Sequence, residues 1–571
     1  MLDENARSET VADALRTGQI GTPVAVRVVS HLTADHGPLE RVAARTLEAA
    51  SAWLNSRPDQ LTAFGSVEAG QVSTLTRFVD GQTALVSVGS CGVGQPLLEI
   101  VVTGSRGILS WEGQSGSFAI KDDGDEKELS DQANQILDRV RQSFQSGRPS
   151  EFGRRESNTQ SGGISKSRRS DSSPSPAQSA PRRRAQQPPY GVLLVAGDHT
   201  HQPGYAAALA ADKRCKLIGL TDEADITPRR KKLNERLARR LAIPVLADLD
   251  KALARDDVHI VSVCAEPKRR GRIIVQAARA GKHLYLDKPL AGSLRDADQI
   301  ISAVRDAGVV AQMWSLVRSQ TATRVHDLLR SGQLGELKAA HFDLTFAKGR
   351  AGTAKLGKPR QETAIPQQYE LFDSKRELSN VGVYPLVTLL WSTRRRVRRV
   401  WATTGNYFFQ EHQKNNMEDF GQMLLELDGG LTATVSVGRT GWKSHRSGGL
   451  NRTCLIGTKE TAVIDSHRPR VAVWADVEPW IAPQRDPEDP MGMWGGPRAD
   501  PFVPRPKQAW ITPSVRVPET DVGYFLDCIE QGRQSDVSAS IAAAATEVLL
   551  AAYQSAATGQ VVTLPLPRKA T

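Results

Sequence analysis

Between residues 190 and 291 short apolar runs alternate with stretches of helical spacing, and this alternation restricts the fold more than any other feature of the chain. Gly191-Val192-Leu193-Leu194-Val195-Ala196-Gly197 reads as a buried strand, and Tyr205-Ala206-Ala207-Ala208-Leu209-Ala210 opens a helix. Lys216-Leu217-Ile218-Gly219-Leu220-Thr221-Asp222 is a second strand that ends in an acid. Val258-His259-Ile260-Val261-Ser262-Val263-Cys264 is nearly continuous in apolar residues, as strands covered on both faces are. With helices expected over residues 231–241 and 272–280, the pattern predicts an α/β fold built on a doubly wound parallel sheet.

The series ends in Gly281-Lys282-His283-Leu284-Tyr285-Leu286-Asp287-Lys288-Pro289-Leu290-Ala291. Leu284, Tyr285 and Leu286 are too few for a helix, and Pro289 cannot continue a central strand, so the strand stops near Asp287. Lys288 therefore stands at a strand's C-terminal end, the edge where open parallel sheets bind ligands, as a candidate proton donor or acceptor. An exposed turn lysine is the other reading. This segment resembles the glucose-fructose oxidoreductase / inositol dehydrogenase (Gfo/Idh/MocA) family, whose members carry Glu-Lys-Pro after an Ala-Gly-Lys-His-Val stretch; here the acid is Asp287. The resemblance implies a Rossmann dinucleotide-binding domain followed by an α+β open-sheet substrate domain. It implies hydride transfer between a nicotinamide cofactor and a sugar, cyclitol or related polyol, with Asp287 and Lys288 beside the cofactor.

Two other motifs follow the family less closely. Its substrate domain carries Asp-x-Gly-x-His at the head of a helix, where this chain has Asn380-Val381-Gly382-Val383-Tyr384-Pro385. Tyr384 can donate or relay a proton, and Asn380 can orient a ligand but cannot hold a charge. Glu266-Pro267 takes the place of a Thr-Pro that leans on the cofactor, and the family's next His is Gly271. The expected catalytic residues are Lys288, Tyr384 and Asn380.

A dinucleotide loop needs glycines so that the backbone turns tightly and approaches the pyrophosphate at a helix N-terminus. Here the loop is Gly197-Asp198-His199-Thr200-His201-Gln202, and of G-x-G-x-x-G only Gly197 survives, with His199 and Gln202 in the other glycine places. Asp198 repels phosphate unless it caps the helix. Asp198, His199 and His201 also resemble metal ligands, but no further ligand cluster completes a shell, so no metal is expected. Asp222 lies where an acid binds the adenosine ribose, which favours NAD over NADP; an ordinary turn Asp is the alternative. The cofactor contacts expected are Gly197, Asp198, His199, Thr200, Asp222, Glu266, Pro267, Asp287 and Lys288. Loss of two loop glycines and of the His supports a second class, a catalytically inactive relative that serves as a ligand-binding or scaffold protein.

The first 146 residues lack this alternation and repeat a later part of the chain instead. Ala14-Leu15-Arg16-Thr17-Gly18-Gln19-Ile20-Gly21 echoes Leu328-Leu329-Arg330-Ser331-Gly332-Gln333-Leu334-Gly335, and Asp80-Gly81 with Val86-Ser87-Val88-Gly89 echoes Asp428-Gly429 with Val435-Ser436-Val437-Gly438. Thr103-Gly104-Ser105 answers Ile456-Gly457-Thr458, and Gly147-Arg148-Pro149-Ser150 is paired with Gly532-Arg533-Gln534-Ser535. The final helix over 540–557 and its Gly559 to Leu566 tail find no counterpart. In the first copy the stretch matching the Tyr384 motif, Arg41 to Thr46, has lost every site residue. Four units are therefore expected: a truncated substrate-domain-like copy over 1–146, a linker over 147–188, a Rossmann domain over 189–310 and a substrate domain over 311–571. The last carries two irregular insertions, 347–377 and 467–519.

The net charge of +11 invites a nucleic-acid reading, so its location matters. From Arg148 to Pro189 nine Lys/Arg face three Asp/Glu, so six of the eleven net charges sit in a Ser-, Pro- and Gln-rich segment. Such a segment reads as a disordered, solubilising tether, and no specific nucleic acid is expected. Five scattered cysteines suggest neither a disulfide framework nor a zinc ribbon, and no stretch of about 20 apolar residues or leader-like N-terminus occurs, so a cytoplasmic protein is expected. Open sheets of the family commonly bury one face against another subunit. The first copy is thus expected to dock sheet to sheet, in a homo-oligomer or as an internal pseudo-dimer.

Overall fold

The computed structural model describes residues 11–32, 37–90, 97–113, 129–152, 188–197, 201–346, 354–355, 376–440, 450–465, 471–472, 510–511 and 520–568, except 14, 19 and 69. Residues 153–187 of the linker expected over 147–188, and nearly all of both insertions, lie outside these residues.

The central unit is the doubly wound sheet. Strands β8 (Tyr190–Val195), β9 (Cys215–Thr221), β10 (Ile260–Val263), β11 (His283–Leu286) and β12 (Ala311–Met313) are all parallel, in the order β12-β11-β10-β8-β9. The order reverses between β8 and β10, and that switch point opens a crevice at the strands' C-terminal edge. The helices beside it are α3 (Gln202–Ala211), α4 (Pro228–Leu241), α5 (Leu249–Leu253), α6 (Pro267–Arg279) and α7 (Leu294–Ala307). The starts of α4 and α6 are set by proline at the first turn, where the missing N–H costs nothing, and Thr227 caps α4 by accepting from Arg230 N.

A seven-stranded mixed sheet follows: β13 (Leu337–Phe346), β14 (Val397–Gly405), β15 (Phe420–Leu427), β16 (Thr432–Arg439), β17 (Asn451–Gly457), β18 (Thr461–Asp465) and β21 (Val562–Thr563), in the order β18-β17-β13-β16-β15-β14-β21. A two-stranded ribbon, β19 (Val471–Ala472) with β20 (Trp510–Ile511), stands apart from it. Helices α8 (Gln320–Ser331), α9 (Glu377–Thr393), α10 (Gln410–Lys414), α11 (Asp521–Glu530) and α12 (Ala539–Thr558) complete the C-terminal part. The boundary expected at 311 moves, because β12 pairs with β11 and belongs to the parallel sheet. Helix α11 belongs there too: Val522, Phe525 and Leu526 bury against Tyr190, Val192 and Tyr285.

The N-terminal residues build a sheet of the same design. Strands β1 (Pro23–Leu32), β2 (Pro58–Ser66), β3 (Gln71–Phe78), β4 (Thr83–Ser90), β5 (Leu97–Gly104), β6 (Ile108–Gly113) and β7 (Ser150–Glu151) run in the order β6-β5-β1-β4-β3-β2-β7. Exchanging β6 for β18, β5 for β17, β1 for β13, β4 for β16, β3 for β15, β2 for β14 and β7 for β21 turns one order into the other. Both sheets slip register at the same places, between Pro23 and Ala25 opposite Gly104 and between Leu337 and Ala339 opposite Gly457. Helices α1 (Leu39–Leu54) and α2 (Asp131–Ser146) cover one face.

Two sequence pairings are corrected here. Ser143 Oγ on α2 accepts from Ala63 N and donates to Arg148 O, and Ser555 Oγ on α12 accepts from Ala402 N and donates to Gln560 O. Helix α2 with Gly147 and β7 is thus the counterpart of α12 with Gly559 and β21, not of the Gly532 turn, and the final helix does have an equivalent. The similarity escaped sequence reading because it resides in main-chain bonding and one serine. The first unit consequently extends through Glu151, past the expected limit of 146.

Alternation along β1 splits its side chains between two layers. Val26 and Val28 face α1 and α2, while Ala25, Arg27 and Val29 face the C-terminal sheet, which stacks on this one. Between the sheets Phe64, Leu75 and Leu85 pack on Trp401 and Leu424, Val29 packs on Ala339, Cys454 and Ile456, and Tyr407 OH donates to Gly81 O at 2.6 Å.

Candidate active site

The C-terminal end of β11 meets the head of α9. Leu284 and Leu286 are fully buried, so the strand has no freedom to roll, and the two residues after it are fixed in direction. Lys288, 5% exposed, donates from Nζ to the main-chain oxygen of Asn380 at 2.9 Å and also to Asn380 Oδ1. Its Nζ lies 5.3 Å from the centroid of the Tyr384 ring. The structure thus brings the three expected catalytic residues together. Asn380 is held in turn: its Nδ2 donates to Glu377 Oε2 at 3.1 Å, and Glu377 accepts from Arg439 Nε at 2.9 Å.

Asp287, beside Lys288, faces the other way. It is buried, and its Oδ1 lies 2.8 Å from both His201 Nδ1 and Tyr205 OH, while Arg270 Nη2 donates to Oδ2 at 3.0 Å. Burial pushes this carboxyl up, but His201 and Arg270 outweigh it and hold the group well below the ordinary carboxylate range. Arg270 also donates to the carbonyls of Asp287 and Pro289, so one fully buried guanidinium holds the whole turn that presents Lys288. The rings of His201, Tyr205, Trp314 and Tyr384 form a contiguous wall, with Trp314 5.4 Å from His201 and 5.7 Å from Tyr384 between centroids. Arg270, Tyr205, Trp314 and Glu377 were not legible as site residues. Only Trp314, just beyond β12 at the binding edge, carried a positional signal.

Around the crevice, Gly197 follows β8 and Asn234 of α4 crosses it so closely that a Cβ on Gly197 would lie 2.6 Å from Asn234 Oδ1. Asp198, His199 and Thr200 lie outside the described residues. Gln202, in a glycine place of the motif, turns its amide onto the sheet: its Nε2 donates to Val195 O and Ser262 O, tying β8 to β10. His201 stands at the cap of α3 without a side-chain cap bond. Asp222, at the end of β9, accepts from Asn234 Nδ2 and Arg269 Nη1, both at 2.9 Å. Glu266, at the cap of α6 before Pro267, is engaged by Arg230 and Arg269 and so bridges α4 to α6. Burial lowers Arg230 to about 10, and among the described residues Arg230 Nη1 and Asn234 Oδ1 are buried without a hydrogen-bond partner. Such atoms are the donor and acceptor that ribose and phosphate oxygens require, so the residues present fit a dinucleotide.

Comparison with known proteins identifies the family of the two domains that meet here. Residues 196–314 match the family model described as oxidoreductase family, NAD-binding Rossmann fold, and residues 322–463 match the GFO/IDH/MocA C-terminal domain. The chain is similar to dTDP-3,4-didehydro-2,6-dideoxy-alpha-D-glucose 3-reductase of Streptomyces violaceoruber, 29% identical over 152 residues, covering 26% of this chain and 41% of the relative. The enzyme of the same name from Streptomyces antibioticus is 26% identical over 230 residues, covering 39% and 62%. The chain thus spans about two fifths to three fifths of these relatives. A crystal structure of GenD2 from gentamicin A biosynthesis in complex with NAD is 22% identical with a TM-score of 0.47, covering 68% of this chain and 99% of that one. Among the described residues no helix is long and apolar enough to cross a membrane.

Proposed function

Since residues 196–314 and 322–463 belong to the Gfo/Idh/MocA oxidoreductase family, we propose that this chain moves hydride between a nicotinamide dinucleotide and a carbon bearing oxygen in a sugar, cyclitol or related polyol. The observation that carries the reading is the contact of Lys288 with Asn380 beside Tyr384, which joins the binding edge of the parallel sheet to the second domain. Bound dinucleotide supplies the hydride acceptor or donor. The protein supplies the proton and the charge: the Lys288 ammonium stabilises oxygen as it becomes alkoxide-like, and Tyr384 assists the same proton movement. Asn380 and Glu377 keep Nζ aimed, and the wall of His201, Trp314 and Tyr384 keeps water from the reacting carbon.

For the cofactor, Asp222 with Glu223 places two carboxylates at the end of β9, which supports NAD(H) over NADP(H) by repulsion of a 2′-phosphate. Gly197, the start of α3 and the Glu266-Pro267 turn would hold its phosphates and adenosine. One feature favours the second reading, an inactive ligand-binding scaffold: Arg269 already spans from Asp222 to Glu266 across the adenosine side. Among the described residues the four cysteines form no disulfide, and the setting proposed is cytoplasmic.

Lys288→Ala separates the readings. Turnover should fall by about a hundredfold or more while the dissociation constant for reduced cofactor changes less than about threefold, and Tyr384→Phe should have a smaller effect. Activity of Lys288→Ala equal to the unaltered protein would remove Lys288 from the chemistry.

A further inference from the structure

Glu99 and Arg452 occupy the same place in two different sheets. On β1 Ala25 pairs with Thr83 and Thr103, and on β13 Ala339 pairs with Thr432 and Ile456, so these residues correspond one to one. Counting along the ladders, Val29 opposite Glu99 corresponds to Asp343 opposite Arg452. Yet Arg452 Nε reaches Glu99 Oε1 across the interface at 3.0 Å. A position that touches its own equivalent lies on a local twofold axis. Leu75 and Leu424, also equivalent by register, share one cluster. Off the axis the contacts are reciprocal: Gln60 Nε2 donates to Gly559 O at 2.9 Å, and the equivalent Arg399 has Nη1 3.1 Å from where a Cβ of Gly147 would stand. The stacked sheets therefore have the geometry of a twofold dimer inside one chain.

In its buried charges, however, the interface is not self-complementary. Glu99 is 0% and Arg452 3% exposed, and on a true twofold axis each would face its own copy. Two C-terminal sheets would bury Arg452 against Arg452, and two N-terminal sheets Glu99 against Glu99. Arg27 adds a second selection: its Nε lies 2.8 Å from Asp343 Oδ2 on the opposite sheet and it also pairs with Glu99, whereas in a pairing of two N-terminal sheets the residue equivalent to Asp343 is Val29. Buried like charges on one site cost several kcal/mol, a penalty that only the mixed pairing of the two sheets avoids.

We propose that the inner face of the C-terminal sheet takes the N-terminal sheet of its own chain as its partner and excludes a second copy, with Arg452, Glu99, Arg27 and Asp343 setting that choice. The N-terminal unit is then a built-in half-dimer, and the protein does not self-associate through this face. This holds whatever reaction the site performs.

Ser73 Oγ and Thr432 Oγ1 face each other across the interface at 3.2 Å, which supplies the test. In the full chain, Ser73→Cys with Thr432→Cys should, on oxidation or with a short bismaleimide, give a cross-link inside one chain: denatured and unreduced, the product keeps the mass of a single chain at every protein concentration, with the unaltered protein as control. A covalent dimer as the main product would overturn the proposal. On that background Arg452→Glu sets carboxylate against carboxylate and should slow the intrachain cross-link by at least about tenfold. An unchanged rate with unchanged mass in solution would show that the charges do not select the partner.

Discussion

Glu377→Gln tests whether the electrostatics beneath the active site are as the structure draws them. Glu377 begins α9, has no exposed surface, and lies against Arg439 at 2.9 Å and His412 at 3.8 Å. Burial raises its carboxyl, Arg439 opposes this, and the balance leaves it lowered to about 2 from an ordinary 4.5. That difference is worth about 3 kcal/mol at 1.36 kcal/mol per unit. Because the folded value is the depressed one, this stability is complete above pH 4.5 and is lost as pH falls toward 2. Glutamine keeps the shape and still accepts from Asn380 Nδ2, but it leaves Arg439 as a buried charge without its counter-ion, again about 3–5 kcal/mol. Denaturant unfolding at neutral pH should therefore show the variant less stable by about 3 kcal/mol, with the gap closing as pH falls through 4. Equal midpoints at neutral pH, or a gap that does not change with pH, would refute the reasoning. Since Asn380 keeps its acceptor, the variant's turnover measured well below its melting temperature should stay within about threefold.

Other outcomes follow from the same packing. Gly197→Ala puts a methyl 2.6–2.9 Å from Asn234 atoms, main chain included, so it should displace α4, lower the melting temperature by several degrees and weaken cofactor binding together; calorimetry with and without dinucleotide reads both. Ser143→Ala and Ser555→Ala each leave a buried strand N–H and the carbonyl just past the helix cap, Arg148 O or Gln560 O, without their shared hydroxyl, and should cost similar amounts, about 1–3 kcal/mol apiece in unfolding experiments. A large loss at one serine and none at the other would break the equivalence of α2 with α12.

The parallel sheet was legible because its strands are buried on both faces and its helices carry proline and threonine at their starts; β8, β10 and β11 need no tertiary information to be seen. Lys288 was legible for the same reason, since a proline just beyond a short apolar run fixes where a strand ends. What surrounds Lys288 was not. Glu377 and Arg439 are 62 residues apart and Asp287 and Arg270 are 17 apart, and nothing in the local pattern marks either pair as a contact. The N-terminal sheet was visible through glycines that its turns require: Gly21 and Gly335 have φ of +70° and +71°, and a Cβ on either would meet Ser105 or Thr458. The equivalence of α2 with α12 was hidden because what the two helices share is the main-chain bonding of one serine, and sequence shows only side chains. Gln202 misled for a related reason, since a polar residue in a glycine place looks obstructive until its amide is seen bonded to the strands.

The most direct test of the account is a titration of the purified full chain with NADH and, separately, NADPH, followed by nicotinamide fluorescence and by calorimetry. The fold of the crevice, the carboxylates of Asp222 and Glu223, and the buried atoms of Arg230 and Asn234 left unsatisfied among the described residues predict saturable binding of one dinucleotide per chain, tighter for NADH than for NADPH. Saturation by neither cofactor at millimolar concentration would contradict the oxidoreductase reading and leave the chain a scaffold.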